Sequence, residues 1–197
     1  LFVTFEGIDR CGKSTVIQEV ERHLKTLDRK VERFKDPWGK GVAGKIRETI
    51  LEDDMMPVTE FLLYVAARRE LTESAILPSL TRNQIVLCDR YFDSTLVYQG
   101  KIRGMEEKLG VMFNYINQLG YCGLVPDKTF LLDISSAESL KRGQSSDRLE
   151  RETESKLEEM RELYLKMAHK EERIHVINGT LPLNTVVDEI TSCILSS

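Results

Sequence analysis

The segment Gly7-Ile8-Asp9-Arg10-Cys11-Gly12-Lys13-Ser14 limits what this chain can fold into more than any other. It fits GxxxxGK[ST]. A short apolar run, residues 1–5, precedes it, and apolar residues at helical spacing follow it at Val16, Val20, Leu24 and Leu27. A strand that ends in such a turn and hands over to a helix builds a cradle for phosphate. The glycines let backbone N–H groups turn inward, and the helix N-terminus contributes about half a positive charge. Lys13 is placed to reach the outer phosphates of a bound nucleotide, and the Ser14 hydroxyl to ligate Mg2+.

The rest of the chain repeats that alternation. Apolar runs at 85–88, 129–132 and 174–177 lack a strict alternation, which suits strands buried on both faces, and residues 31–34 could form a second strand. Helical patterns separate them over 13–27, 59–77, 105–119 and 186–195. The third of these should stop at Gly120 and the second at Pro78, and Leu157, Met160, Leu163 and Met167 share a further helical face. Strands alternating with helices predict a three-layer α/β architecture with a parallel sheet of about five strands. Gly7, Asp36, Asp89, Asp133 and Asn178 all follow strands, so one edge of the sheet should carry the chemistry.

With 197 residues, the chain is expected to form one domain over 1–197. A net charge of −4 argues against non-specific nucleic-acid binding. No apolar run of membrane-spanning length and no signal-peptide pattern occurs. Cys11, Cys88, Cys122 and Cys193 form no CxxC or zinc spacing, and scattered thiols suit a reducing cytoplasm. His23, His169 and His175 neighbour no motif and receive no role.

A phosphate loop alone does not separate a kinase from a GTPase or a motor. Residues 36–39 fit DxxG, but no NKxD guanine-reading motif accompanies them. Asp89-Arg90-Tyr91 is more telling. A carboxylate at that strand end can join Ser14 at a metal, and Arg90 can grip a second phosphate. Two phosphates meeting over one metal imply phosphoryl transfer to a phosphate acceptor. Asp133 is a competing metal candidate and is expected to be structural.

These residues carry a resemblance. Phe5-Glu6-Gly7-Ile8-Asp9 with Gly12-Lys13-Ser14-Thr15 looks like the opening of thymidylate kinases. Asp89-Arg90-Tyr91-Phe92-Asp93-Ser94-Thr95-Leu96-Val97-Tyr98-Gln99-Gly100 resembles that family's second signature. Further similar stretches, at 44–48, 59–64, 76–78 and 126–133, run in family order along nearly the whole chain. The second signature is specific, whereas the phosphate loop is shared by many families.

The resemblance implies a P-loop NTPase fold with a short lid near 142–151, and transfer of the γ-phosphoryl group of ATP to dTMP with Mg2+, a step toward dTTP. ATP would meet Gly7, Ile8, Asp9, Arg10, Cys11, Gly12, Lys13, Ser14, Thr15 and the lid arginines Arg142 and Arg148. Ser14 and Asp89 would hold the metal. Lys13, Arg10, Asp89 and Arg90 would carry catalysis. For dTMP, Tyr64 matches the aromatic that stacks on thymine, and Arg68, one turn on, the arginine at the base edge. Ser94, Thr95 and Gln99 match positions around the bound nucleotide, Tyr98 the aromatic crowding the sugar, Arg90 and Arg47 the phosphate grip. Asp9 and Asp36 match carboxylates near the acceptor phosphate. A homodimer is implied by resemblance alone.

Some residues depart from the family pattern. Lys35-Asp36-Pro37-Trp38-Gly39 stands where many bacterial members read Arg-Glu-Pro-Gly-Gly, which puts a bulky Trp38 beside the expected acceptor site. Arg10 lies inside the loop, as in eukaryote-like members, while the lid stretch has few arginines and the 98–100 segment looks bacterial. Arg10 is therefore a candidate for neutralising the moving phosphoryl group in cis. The alternatives are another nucleoside monophosphate kinase, a deoxynucleoside kinase, or a nucleotide-dependent switch.

Overall fold

The computed structural model describes residues 1–143 and 153–196. The elements run β1 (Phe2–Glu6), α1 (Lys13–Thr26), β2 (Val31–Lys35), α2 (Gly41–Glu52), α3 (Pro57–Leu71), α4 (Leu77–Thr81), β3 (Ile85–Asp89), α5 (Phe92–Thr95), α6 (Met105–Leu109), α7 (Val111–Tyr121), β4 (Lys128–Asp133), α8 (Ser136–Lys141), α9 (Glu154–Ala168), β5 (Ile174–Asn178) and α10 (Leu183–Leu195). Five strands in the order β2-β3-β1-β4-β5, all parallel, form one sheet with helices packed against it. The expected parallel α/β architecture is what the chain adopts.

The burial pattern explains why the strand runs lack alternation. Every residue of the central β1 is buried. Val3 and Phe5 join a core with Val16, Val20 and Leu24 of α1 and Ile190 of α10, while Phe2 packs with Leu71, Ile76, Val86 and Tyr91. Each fully buried Phe or Leu contributes roughly 1.5–3 kcal/mol relative to exposure. The edge strands β2 and β5 instead carry exposed positions among their buried ones.

Several helix boundaries differ from the sequence expectation. Pro78 does not end the helix begun at Pro57. A π-helical turn, Thr72–Ile76, intervenes, and Pro78 then sits in the first turn of α4, on a helical path that continues without a break. The helix expected over 105–119 is two, parted at Gly110, and Gly120 lies inside α7 instead of ending it. Gly120 is there for close packing, since a Cβ would lie 3.1 Å from the Val65 carbonyl oxygen of α3. Helix α2 carried no clear pattern in the sequence. On α9 the buried residues are Leu157, Met160 and Tyr164, with Leu163 and Met167 half-buried.

Two guanidinium–carboxylate pairs join elements distant in sequence. Arg173 donates to both oxygens of the fully buried Asp93 at 2.8 Å and to Thr129 Oγ1, with its guanidinium over the Phe92 ring. Arg161 donates to both oxygens of Asp133 at 2.6 and 3.0 Å. Asp133 is thus engaged structurally. The four cysteines are free thiols, two buried and two half-buried. Among the described residues no helix is long and apolar enough to cross a membrane.

Arg173→Met is expected to lower unfolding free energy by about 3–5 kcal/mol, because it strands Asp93 as a buried, uncompensated charge. Urea denaturation of both proteins measures this, and an unchanged midpoint would contradict it.

Candidate functional site

The phosphate loop lies between the end of β1 and α1. Gly7 has φ 140°, and a Cβ there would lie 2.7 Å from the Leu132 carbonyl oxygen, so only glycine fits. Lys13 is buried, with Nζ donating to the Gly7 and Ile8 carbonyls at 3.0 and 3.1 Å. The ammonium therefore hangs over the loop, where phosphate oxygens would replace those carbonyls. Ile8 and Cys11 point into the core, while Ser14 and Thr15 open the exposed side of α1. Ser14 Oγ donates to Asp89 Oδ2 at 3.0 Å, so a hydroxyl and a carboxylate converge beside the loop. This pair of oxygen donors suits Mg2+. Among the described residues no cluster of three His, Cys, Asp or Glu side chains could enclose a metal alone.

Arg10 and Arg142 tie the loop to its surroundings. Arg10 Nη1 donates to the Gly143 carbonyl at 2.8 Å, while its Nε and Nη2 are buried without a partner among the described residues. Arg142 Nη1 donates to the Cys11 carbonyl and Nη2 to the Gly179 carbonyl, both at 3.0 Å. Arg148, Arg151 and most of the expected lid over 142–151 lie outside the described residues.

Beside the loop is an open cleft. All ten residues expected around the acceptor line it: Asp9, Asp36, Arg47, Tyr64, Arg68, Arg90, Ser94, Thr95, Tyr98 and Gln99. They come from the loop, the end of β2, α2, α3, and the helical path after β3. Tyr98 and Gln99 sit on a π-helical turn, Leu96–Ile102, which a motif alone does not reveal. Trp38 does not line this cleft. It meets Phe34 edge-on at 5.7 Å and lines a neighbouring cleft with Ser14 and Asp89.

Two guanidinium groups organise the cleft. Arg68 is 1% exposed. It donates from Nε to Asp36 Oδ2 at 2.5 Å, from Nη1 to Asn117 Oδ1 at 3.0 Å and from Nη2 to Thr95 Oγ1 at 2.6 Å, which leaves two N–H groups. Burial raises the Asp36 carboxyl, and Arg68 opposes that rise. Arg90 pairs with Asp9 through Nη2, which also donates to Tyr98 Oη at 3.0 Å, while Nη1 reaches Ser94 Oγ at 3.0 Å and Tyr164 Oη at 3.4 Å. Asp9 Oδ2 and Asp36 Oδ1 are buried without a partner among the described residues.

Sequence reasoning missed several participants. Lys35, Pro37, Leu51, Glu60 and Arg103 also line the cleft, and Asn117 and Tyr164 support its arginines from distant helices. Glu6 is 1% exposed and accepts from Tyr91 N, Ser94 Oγ and Tyr164 Oη. Burial pushes its carboxyl up to about 7, the nearby Asp93 charge adds to this, and Arg90 and the donated hydrogen bonds oppose it. Its place in the Phe5-Glu6-Gly7 motif was visible, but no sequence signal linked it to the cleft.

The thymidylate kinase family model matches residues 5–190. A thymidylate kinase of Caldanaerobacter subterraneus subsp. tengcongensis is 40% identical over 184 residues, covering 90% of this chain and 86% of that protein. Similar proteins of the same name from Thermoanaerobacter sp. and Bacillus pumilus are each 38% identical, over 96% of this chain and 94% and 92% of theirs.

Gly7→Ala is expected to cost roughly 1–3 kcal/mol of stability through the strained backbone and the clash with the Leu132 carbonyl. Thermal unfolding of the two proteins checks this.

Proposed function

The chain belongs to the thymidylate kinase family, and from that premise we propose that it transfers the γ-phosphoryl group of ATP to dTMP, giving dTDP and ADP, as a step toward dTTP. The observation that carries this reading is the convergence of ten acceptor-type residues on one cleft beside the phosphate loop. It works as one domain over 1–197, in a reducing cytoplasm that suits four free thiols.

ATP lies with its phosphates on the amides of the Gly7–Ser14 loop, against the N-terminus of α1. Ser14 and Asp89 would hold Mg2+, which would neutralise charge on the nucleotide phosphates. Lys13 moves from the Gly7 and Ile8 carbonyls onto the phosphoryl oxygens. Arg10, with two N–H-bearing nitrogens unpaired among the described residues, neutralises the group in flight, and Arg142 supports the loop from the ATP side.

On the acceptor side, Arg90 grips the dTMP phosphate with Arg47 beside it. Tyr64 stacks on the base, and Arg68 offers its two remaining N–H groups to the base edge beside Thr95 and Gln99. Tyr98 is kept protonated, since burial raises its phenol well above the ordinary value, and it crowds the sugar. No side-chain nucleophile is needed, because the attacking oxygen belongs to the dTMP phosphate. Catalysis rests on alignment and on fixed positive charge.

A second copy of the chain is the expected partner. Val111, Met112, Tyr115 and Leu119 form an exposed apolar face on α7, and Leu62 is exposed on the adjoining α3. Leu119→Glu should therefore shift the sedimenting species from dimer to monomer, and a monomeric wild-type protein would refute the dimer.

ADP release should be stimulated by dTMP and not by UMP, AMP or thymidine. Stimulation by thymidine instead would move the assignment to a nucleoside kinase. dUMP should have a kcat/KM about ten- to 200-fold lower, the range one methyl group can supply. Lys13→Ala and Arg10→Ala should each reduce kcat by about 10²–10³-fold.

A further inference from the structure

The mechanism does not use the buried acid Glu6. Glu6 ends β1 beneath Arg90, and no Lys or Arg among the described residues lies within ion-pair distance of it. Its Oε1 accepts from the Tyr91 amide at 2.8 Å. Its Oε2 accepts from Ser94 Oγ at 2.6 Å and from Tyr164 Oη at 3.1 Å. The same two hydroxyl oxygens are what Arg90 Nη1 donates to, and they lie 2.9 Å from each other.

Proton accounting decides how these groups point. Each hydroxyl has one proton to give. While Glu6 is ionised, the Ser94 proton lies on Oε2, and the Tyr164 proton lies on Oε2 or on Ser94 Oγ. In either arrangement Ser94 Oγ keeps a lone pair for Arg90. When Glu6 takes a proton, that proton cannot sit on Oε1, which faces an amide that can only donate. It must sit on Oε2 and donate to a hydroxyl. Ser94 Oγ or Tyr164 Oη must then accept from Oε2 as well as from Arg90, so the guanidinium shares that hydroxyl's lone pairs with a second donor.

We propose that Glu6 is a positioning residue for the acceptor clamp: its carboxylate draws the hydroxyl protons of Ser94 and Tyr164 away from Arg90 and so fixes the guanidinium for the acceptor phosphate. This rests on the reading of Arg90 as the group that grips dTMP. The groups facing Glu6 are Arg90 and Asp93 from the segment after β3, Cys88 from β3, Tyr164 from α9 and Arg173 before β5. Burial among them holds the carboxyl at about 7, so the clamp weakens as pH falls through neutrality.

Glu6→Gln tests this. The Tyr91 amide keeps the Gln oxygen in the Oε1 position, so its NH2 group faces Ser94 and imitates the protonated acid at every pH. The measurement is dTMP affinity by calorimetry, without ATP, from pH 6 to 8. The ratio of mutant to wild-type Kd removes the ionisation of dTMP itself. It should be about tenfold at pH 8, the loss of one hydrogen bond to a charged group, and approach one at pH 6. A purely structural role would lower the melting temperature and leave this ratio flat. A ratio of one throughout overturns the proposal while leaving the function intact. Failure of the wild-type protein to bind dTMP at any pH overturns both.

If Glu6→Gln does not fold, Tyr164→Phe carries the test. It removes one donor from the ionised carboxylate, so the affinity inflection should move to higher pH. The ionisation of free dTMP, measured by 31P NMR, is divided out first. An unmoved inflection overturns the proposal.

Discussion

The Arg90 guanidinium is where the separate parts of this molecule are joined. It stands one residue past β3 and is bonded to Asp9 of the phosphate loop, to Ser94 and Tyr98 of the helical path that follows, and to Tyr164 of α9. The Arg90 side chain is 16% exposed, and a guanidinium so largely buried is held best when its donors are engaged. The engagement therefore fixes the relative positions of the phosphate loop, the acceptor cleft and α9. Arg68 does the same one layer away, drawing Asp36, Thr95 and Asn117 together. The phosphate loop and the cleft beside it are held together by charge pairing, with the parallel sheet as their platform.

Much of this was legible in the chain because its signals are local. The phosphate loop needs a strand, a turn with room for Gly7, and a helix, and all three lie within adjacent residues. The central strands announce themselves as unbroken apolar runs because the sheet is covered on both faces. The grouping of ten residues around one cleft was readable only through resemblance. Residues as distant as Asp9, Tyr64 and Gln99 share no spacing rule that would place them together.

What was not legible depends on contacts across the fold. The π-helical turns at Thr72–Ile76 and Leu96–Ile102 change which side chains share a face, and no residue type marks them. Pro78 and Gly120 read as helix stops, yet one falls in a first turn and the other is where α7 presses against the backbone of α3. Trp38 looked like an obstruction at the acceptor site, but packing against Phe34 takes it to the adjoining cleft. Glu6, Asn117 and Tyr164 matter through their partners, which lie 49 or more positions away in sequence.

Under the proposed function, the electrostatics of the cleft explain how a chain of net charge −4 would collect an anion. Arg68 and Arg90 are balanced by Asp36 and Asp9. Arg103 lies 3.8 Å from Glu60 at the same wall. Lys35 and Arg47 also line the cleft, and neither forms an ion pair among the described residues. The paired arginines supply geometry, because their donors are pinned before any ligand arrives. The other two cations supply the surplus charge. A low-dielectric wall concentrates that surplus into the opening, where a phosphate dianion would meet it, while the acidic exterior leaves other surfaces unattractive to polyanions. Separating the two tasks lets a single cleft be both rigid and positive, which a cluster of unpaired buried arginines could not sustain.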